Sequence, residues 1–395
     1  MLDSVYIGMS GLTSFSKGLS NISSNVANLN TTGFKGSELQ FFDLFYKNQY
    51  TGSNPDKSQV LSQGGGVRAG SSNLKFTQGD FRQTGNDLDV AINGNGFFIL
   101  KDGANTFYTR AGQFAIDNNG FLTTRDGNNS KVMAFSGGGL SEINISGRRS
   151  LPAKATTAIT FANTLSVSSP TFELSNITVI DSLGQQHQLT LNLVNNSATT
   201  PGNWTFRVLE GAMELAAGSV TYDASGAPIA GNDKFTFAYS PNGAANTSLT
   251  LDFSNTSYLS SSSSTLSVQS QNGLAAGFLT KTAIDSDGFL VLSYSNGQTQ
   301  RNGQLALANF DNLSALQSQG GNRFTLFGDT KQAIGAPGTL SLGGLRVSGI
   351  ELSNVDLAKE FSELIVVQRA YQASSQVISA ANEMMQQLNE IRGGR

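Results

Sequence analysis

The residue types that most often carry catalysis or bind metals are scarce in this chain. His187 is its single histidine, and cysteine is absent. Metal sites built from His and Cys, and nucleophilic sites that pair Ser or Cys with His, therefore have almost no residues to draw on. We interpret His187 as a strand or turn residue. The chain is predicted not to be an enzyme, and we expect no catalytic residue, no metal and no cofactor.

The acidic segment 285–288 (Asp-Ser-Asp-Gly) begins like a calcium-binding loop. An EF-hand loop needs an oxygen ligand at its fifth position and a glutamate at its twelfth. These positions hold Phe289 and Asn296, so the segment is predicted to be a hairpin turn. Residues 283–290 are nearly identical to residues 115–122, which indicates that similar hairpins occur in both regions.

Two other features resemble ligand sites only weakly. Asp87 and Asp89 could bind a cation loosely, although local hydrogen bonding beside Asn86 and Asn93 explains them more simply. The glycine runs at 64–66 and 137–139 have neither the lysine nor the strand-to-helix setting that phosphate binding needs. We interpret both runs as hinges or linkers.

The charge and composition of the chain limit its partners. Lys and Arg total 25 against 28 Asp and Glu, a formal net charge of −3, and only 13% of residues are charged. That balance provides no basic field for nucleic acid or an anionic membrane. No stretch approaches the roughly 18 consecutive apolar residues of a membrane-spanning helix. We therefore expect no nucleic-acid partner and no membrane insertion.

Apolar side chains recur every three or four residues at both ends of the chain. This spacing places them on one side of a helix. We predict coiled-coil-like helices within residues 1–30 and 355–395, which together form a helical core domain. The N-terminal stripe consists of Val5, Met9, Leu12, Phe15, Leu19, Ile22, Val26 and Leu29, and the C-terminal stripe of Leu357, Phe361, Leu364, Val367, Tyr371, Ser374, Ile378, Ala381, Met385, Leu388 and Ile391.

Each predicted helix has candidate residues for its start. Asp3 or Ser4 can cap the first helix, and Ser353 with Asp356 three residues later resembles a capping box for the second. Gly33 is placed to end the first helix. Two helices that contact only each other would leave much of the apolar surface of each stripe exposed to water. We therefore expect the stripes to pack subunits together, the alternative being a helical stalk within one monomer.

Between the two helices the chain is predicted to be mainly β. Apolar and polar residues alternate in short segments of the middle, for example at 188–194, as in half-buried strands. We predict a linker region at 31–85, a discontinuous β domain made of 86–149 with 278–354, and an inserted outer β domain at 150–277. Turn signals flank the insertion at Asn93-Gly94, Asn119-Gly120, Asp126-Gly127, Asp287-Gly288 and Asn296-Gly297.

Motifs near both chain ends resemble those of the flagellar rod and hook protein family. Residues 22–28 (Ile-Ser-Ser-Asn-Val-Ala-Asn), followed by 32–35 (Thr-Gly-Phe-Lys), resemble the N-terminal signature of that family. Residues 353–357 (Ser-Asn-Val-Asp-Leu) and 367–372 (Val-Gln-Arg-Ala-Tyr-Gln) resemble its C-terminal motif. The residues that carry the resemblance are Asn25, Asn28, Gly33, Phe34, Lys35, Asn354, Gln368 and Arg369.

The middle of the chain also fits this family. Residues 89–98 and 108–114 resemble its first β segment. Residues 177–184 look like the start of an insertion, and residues 273–279 look like its end. The shorter rod members lack such an insertion, so the length of this chain favours the hook members.

The resemblance implies a structural subunit of the bacterial flagellar hook, outside the cell at the base of the filament. Such subunits form a homo-oligomer, a flexible curved tube that transmits torque from rod to filament. Their terminal helices line the core of the tube. The resemblance also implies type III export and contacts with rod, hook-cap and hook–filament junction proteins. The alternatives are a distal-rod or other hook-related axial subunit, or a stalked extracellular β adhesin.

Overall fold

The structure of the chain, a computed structural model, has helices at both ends and strands between them. It describes residues 2–44, 46–51, 59–136, 138–328 and 330–393. Helix α1 spans Leu2–Ala27 and helix α2 spans Leu357–Gly393. The predicted fold class, mainly β with two terminal helices, is therefore confirmed. Two compact units are present: unit 1 comprises residues 1–146, 282–291 and 301–395, and unit 2 comprises residues 147–281 and 292–300.

The strands are short and follow one another closely along the chain. Those that precede unit 2 are β1 (Ser37–Asp43), β2 (Tyr46–Thr51), β3 (Gln59–Gly64), β4 (Val67–Leu74), β5 (Phe81–Gln83), β6 (Val90–Asn93), β7 (Phe97–Asp102), β8 (Asn105–Thr109), β9 (Phe114–Ile116), β10 (Leu122–Thr124), β11 (Lys131–Ser136) and β12 (Gly139–Glu142). The next are β13 (Ser150–Leu151), β14 (Ala158–Ser166), β15 (Thr171–Ile180), β16 (Gln186–Asn195), β17 (Asn203–Glu210), β18 (Met213–Thr221), β19 (Lys234–Tyr239), β20 (Thr247–Leu259) and β21 (Ser267–Gln271). The last are β22 (Gly277–Ile284), β23 (Phe289–Tyr294), β24 (Thr299–Leu305), β25 (Leu307–Phe310), β26 (Leu316–Ser318), β27 (Arg323–Leu326), β28 (Gln332–Gly335), β29 (Gly344–Val347) and β30 (Gly349–Glu351).

Unit 2 contains two four-stranded sheets around one apolar core. One sheet has the order β15-β16-β17-β18 and the other β19-β20-β14-β21. Alternate residues of β16 are buried, as its sequence pattern predicted, because successive side chains of a strand point to opposite faces. Phe206 of one sheet contacts Phe253 of the other, with ring centroids 5.3 Å apart. The single tryptophan, Trp204, is fully buried in this core.

The β part of unit 1 is built from segments that lie on both sides of unit 2 in the sequence. Strand β5 pairs with β30, and β6 pairs with β29. The turn signal Asn93-Gly94 lies between β6 and β7, but these two strands do not pair with each other, because β6 pairs with a strand about 250 residues later. Strand β7 pairs with β8, β11 and β25 around an aromatic core, in which the rings of Tyr108 and Phe310 lie 4.8 Å apart.

Four hairpin turns share the sequence pattern Asp-x-x-Gly-x. In each turn the amide of the fifth residue donates to Oδ1 of the aspartate at 2.7–3.0 Å. The glycine has φ between +82° and +89°, a left-handed conformation that favours glycine. The hairpin predicted at 285–288 is thus confirmed. The four aspartates are Asp117, Asp181, Asp223 and Asp285.

The segment between α1 and the β part of unit 1, predicted only as a linker region, contains strands of its own. Strands β1 and β4 form an antiparallel pair, and β2 pairs with β3. The β1–β4 pair contacts α1: the Ser14 hydroxyl donates to the Val67 carbonyl at 3.1 Å. The rings of Phe15 and Phe41 lie 5.5 Å apart.

Candidate functional site: the helix pair and its junction

The two terminal helices pack against each other in antiparallel directions, and glycines set how closely they approach. A Cβ atom added at Gly8 would lie 2.6 Å from Cγ1 of Ile378. One added at Gly11 would lie 2.6 Å from Oγ of Ser374. Such distances are below normal van der Waals contact, so larger side chains would force these atoms apart. The α1 residues that face α2 at these positions are therefore glycines, which do not belong to the predicted N-terminal stripe.

A seven-residue repeat aligns the helix pair along its length. The intervals of seven keep one side of each helix facing the other. A search for apolar residues misses this repeat because glycine and asparagine occupy the α1 positions. The spacing of the glycines was the available signal. Gly11 faces Ser374, Gly18 faces Val367 and Asn25 faces Glu360.

The predicted stripe residues differ widely in burial. Many keep apolar surface in contact with solvent, and several are largely exposed. Ile22 and Ala381 are buried; Val5, Leu12, Phe15, Leu19, Val26, Leu29, Leu364, Val367, Ser374, Ile378 and Met385 are half-buried; Met9, Leu357, Phe361, Tyr371, Leu388 and Ile391 are exposed.

Further apolar residues of both helices, which lie outside the predicted stripes, are also exposed. One of them, Val366, has a relative accessible surface of 66%, and Ile391, the last residue of the C-terminal stripe, has one of 77%. Folded monomers rarely leave large contiguous apolar surfaces in water. We call the following set the exposed helix surface: Tyr6, Met9, Leu357, Phe361, Ile365, Val366, Tyr371, Val377, Met384, Leu388 and Ile391.

Asn25 joins the end of α1 to both β1 and α2. Its side chain accepts a hydrogen bond from the Ser37 amide at 3.0 Å and donates to the Ser37 carbonyl at 2.8 Å. It also donates to both carboxylate oxygens of Glu360 at 3.1 Å. Burial raises the pKa of Glu360, although the hydrogen bond from Asn25 partly opposes this. One asparagine thus fixes the strand and the second helix together.

Asn354 makes the corresponding contacts from the C-terminal side. Its Oδ1 accepts from the Gly36 amide at 2.8 Å. Its Nδ2 donates to the carbonyls of Lys75 at 2.7 Å and Thr77 at 3.1 Å. The residue therefore joins the segment before α2 to the start of β1 and to the segment after β4.

A buried cluster of three charged residues lies beside these asparagines. Lys35 Nζ donates to Glu351 at 2.5 Å and to the Thr77 carbonyl at 2.7 Å. Arg110 lies 3.4 Å from the other carboxylate oxygen of Glu351. The side chains of Lys35 and Glu351 are 0% and 1% exposed. Burial lowers the pKa of both Lys35 and Arg110, although the carboxylate beside them favours their charged forms.

Gly33 allows the backbone after α1 to contact the β part of unit 1. Its φ is +68°, and a Cβ atom at this position would lie 2.6 Å from the Ala111 nitrogen. Its amide donates to the Glu351 carbonyl at 2.8 Å. Helix α1 ends at Ala27, six residues before Gly33. The prediction that Gly33 caps this helix was therefore wrong.

The remaining motif residues have more local positions. Asn28 donates to the Ser24 carbonyl at 2.9 Å, just after the end of α1. Phe34 is half-buried, whereas Gln368 and Arg369 are exposed on α2.

The predicted helix starts were wrong in detail. Helix α1 begins at Leu2, so Asp3 and Ser4 lie within its first turn. Helix α2 is capped by Asp356, whose Oδ1 accepts from the amides of Ala358 at 2.9 Å and Lys359 at 3.2 Å. Ser353 accepts only from the Val355 amide. The helix starts one turn later than a capping box from Ser353 would give.

The candidate ligand residues do not form a metal site. Across the described ranges no group of three or more His, Asp or Glu side chains is arranged to hold a metal ion. Asp89 is buried and accepts from the Arg125 guanidinium and from the Thr84 hydroxyl. Its amide donates to the Asn86 carbonyl at 3.1 Å, so the local hydrogen bonding predicted beside Asn86 is observed. His187 lies in β16, as predicted. Gly137 of the second glycine run lies outside the described residues.

Four protein-family models match consecutive regions of the chain. The model for flagella basal body rod proteins matches residues 5–35, and the C-terminal model for flagellar basal body rod FlgEFG proteins matches 348–391. The model for the D1 domain of flagellar hook protein FlgE/F/G matches 91–168. The model for the D2 domain of flagellar basal body protein FlaE matches 150–274.

Full-length relatives give the decisive comparison. Flagellar hook protein FlgE of Escherichia coli (strain K12) is 33% identical, over 97% of this chain and 98% of the relative. The chain belongs to the FlgE flagellar hook protein family. FlgE of Borreliella burgdorferi is 28% identical over 99% of this chain and 100% of its own length. A crystal structure of Helicobacter pylori flagellar hook protein FlgE2 covers 67% of this chain and 99% of its own, with 14% identity and a TM-score of 0.49.

Membership of the FlgE family confirms the family prediction and the predicted location in the bacterial flagellum. FlgE proteins are named for a structural part of the flagellum and not for a reaction. Membership implies polymerisation into the hook and association with other flagellar components. Neither described helix is both long and apolar enough to cross a membrane.

Proposed function

We propose that this FlgE family member is the repeating subunit of a flagellar hook and polymerises through its terminal helices. The exposed helix surface carries the proposal, because eleven large apolar side chains on the described parts of α1 and α2 are exposed within one chain. Their burial against neighbouring copies would add about 1.5–3 kcal/mol for each side chain that becomes fully buried. The predicted stripe residues that are half-buried in the single chain contribute to the same contacts.

This proposal assigns a separate role to each predicted domain. Residues 1–30 with 355–395 form the polymerising core, residues 31–85 connect it, and residues 86–149 with 278–354 form an intermediate β domain. Residues 150–277 form the outer domain. The separation into two compact units and the match of a D2 model to residues 150–274 support this outer boundary.

The proposed partners are other copies of the chain and the proteins at the two ends of the hook, namely the rod, hook-cap and hook–filament junction proteins. The type III export apparatus is a further proposed partner. We propose no enzymatic activity. The charged residues at the junction support this view, because Lys35, Glu351 and Arg110 are paired with one another in the protein interior.

Electron microscopy of a point variant tests the role of the exposed helix surface. Val366→Asp places a charge on α2 at a side chain that is 66% exposed, so the isolated subunit should keep its fold. If neighbours bury this side chain, the critical concentration for tube formation should rise about tenfold or more, since 1.4 kcal/mol corresponds to a factor of ten. Negative staining and sedimentation of the full chain under polymerising conditions measure this change.

Leu140→Asp is the matched control, because it also replaces an exposed apolar residue, but on strand β12. It should form tubes at the wild-type concentration. A chain that lacks residues 1–30 and 355–395 should form none. Polymerisation of Val366→Asp at the wild-type concentration would contradict the proposed contact.

A further inference from the structure

The single histidine of the chain lies between two carboxylates in unit 2. Nδ1 of His187 is 2.7 Å from Oε1 of Glu210, and Nε2 is 3.2 Å from Oδ2 of Asp181. The His187 side chain is 14% exposed and that of Asp181 1%. The rings of Tyr239 and His187 are nearly perpendicular, with centroids 6.0 Å apart, and the Tyr239 hydroxyl donates to Glu210 at 3.3 Å.

Hydrogen bonds from the ring to both carboxylates require a protonated ring. A neutral imidazole has one N–H donor and one lone pair, whereas the imidazolium ion has two donors. Two carboxylates on opposite sides of the ring can therefore both accept from His187 only when both nitrogens carry protons. In the neutral ring one carboxylate would face a lone pair, with repulsion in place of a hydrogen bond.

Asp181 also holds the turn between β15 and β16. Its Oδ1 accepts from the amides of Leu183 and Gln185, both at 2.9 Å. Asp223 holds the turn after β18 in the same way, through the amides of Ser225 and Ala227. The two turns have the same backbone pattern, but only the carboxylate of Asp181 has His187 as its partner.

The Asp181 turn lies where the chain enters and leaves unit 2. Thr156, in the segment that enters, exchanges two 2.8 Å hydrogen bonds with the backbone of Ile180. A Cβ atom at Gly184 would lie 2.9 Å from Ala153 and 3.6 Å from the Cβ of Ala276. We call this end of the unit the base of unit 2.

We propose that protonated His187 is a clamp that joins the β15–β16 turn to the ends of β17 and β19, and that its deprotonation loosens the base of unit 2. The clamp connects three separate strand ends through one side chain. It gives the unit a stability that depends on pH, although the polymeric function itself involves no proton transfer.

The charged groups around the ring set the direction of this dependence. Burial alone lowers the pKa of His187, but hydrogen bonds to Asp181 and Glu210 outweigh it and raise the pKa above the ordinary 6.5. Burial and the nearby Glu210 raise the pKa of Tyr239, so its hydroxyl remains a donor. A raised histidine pKa stabilises the fold fully below about pH 6.5, and this contribution is lost as pH rises through the folded-state value.

Nuclear magnetic resonance of the full-length, unpolymerised chain labelled in histidine tests the clamp directly, because one histidine gives one set of ring signals. The expected result is a titration midpoint above 6.5, with both ring nitrogens protonated at pH values below that midpoint. Exchange of the Leu183 and Gln185 amides, relative to Ser225 and Ala227, should increase between pH 6 and pH 9. A midpoint at or below 6.5, or a constant exchange ratio, would overturn the proposal.

A pair of substitutions distinguishes the effect of the Asp181 charge on the titration of His187 from an effect that any such change in a turn would have. Asp181→Asn keeps an acceptor for the two turn amides but removes the charge beside His187, so the midpoint should fall. Asp223→Asn makes the same change in the matched turn and should leave the midpoint unchanged. Equal midpoints in Asp181→Asn and the wild type would refute the clamp. If Asp181→Asn does not fold, the wild-type titration and exchange ratio still decide the question.

Discussion

At the scale of single residues, the family motifs fix the chain where α1, α2 and the β part of unit 1 meet. Asn25 and Asn354 bind backbone groups on either side of the start of β1. Lys35, Glu351 and Arg110 form the buried charged cluster beside them. A buried ion pair is costly to break, because removing one partner leaves an uncompensated charge. The motif residues are therefore better understood as structural than as reactive.

The substitution Lys35→Met tests this interpretation. It leaves the Glu351 carboxylate buried with only the more distant Arg110 as a cationic partner, so we expect a loss of about 3–5 kcal/mol in the free energy of unfolding. Urea unfolding followed by helical circular dichroism measures the loss. Lys75→Met is the control, because the Lys75–Glu38 pair is 37% and 48% exposed and should contribute less than about 1 kcal/mol. Similar losses in both variants would contradict the argument.

At the scale of elements, the helices are positioned by small residues and by one cap. Glycines of α1 allow the close approach to α2, and the register follows a seven-residue interval. The start of α2 depends on Asp356, which accepts two of the otherwise unpaired amides of the first turn. Ser353, the residue favoured by the sequence pattern, lies outside the helix.

The cap leads to a prediction for α2. Asp356→Ala should destabilise the helix start by about 0.5–2 kcal/mol, the usual cost of losing an N-cap side chain. Amide hydrogen exchange of Ala358 and Lys359 should increase accordingly. Ser353→Ala should change this exchange little, since its hydroxyl accepts only from Val355. If Ser353→Ala increased the exchange of these amides more than Asp356→Ala does, the assignment of Asp356 as the cap would be contradicted and the capping box at Ser353 would be supported.

At the scale of the whole molecule, unit 2 has a core of its own. The buried residues of that core all lie between Ile159 and Leu266 and come from both sheets. A complete core is the main requirement for independent folding. The long stretch between the two halves of unit 1 therefore has the properties of a domain that was inserted into an existing chain.

This arrangement predicts that residues 150–277 fold alone. Trp204 is 0% exposed, so its fluorescence should report cooperative urea unfolding of the fragment at a midpoint close to that of the full chain. A shorter fragment that ends at residue 246 lacks β20 and thus Leu249, Leu251 and Phe253 of the core. It should show the fluorescence of exposed tryptophan in buffer. The same spectrum from the longer fragment would contradict independent folding.

The sequence by itself determined the local structure. Periods of three to four residues predicted α1 and α2, and alternation predicted β16 within unit 2. The Asp-Gly signal at 285–288 predicted its hairpin. These properties are readable because helix and strand periods, and the need of a turn for glycine at positive φ, act over a few neighbouring residues.

Only the tertiary structure decided which distant residues meet. Gly11 and Ser374, or Lys35 and Glu351, are more than 300 positions apart, and no periodicity in one sequence connects them. The α1 residues that face α2 at seven-residue intervals are Gly11, Gly18 and Asn25, which give no hydropathy signal. His187 was predicted to be a strand or turn residue and lies in β16, but its environment depends on Glu210 from the neighbouring strand. Contacts between distant residues are set by the packing of the whole chain, so they cannot be predicted from the periodicity of neighbouring residues.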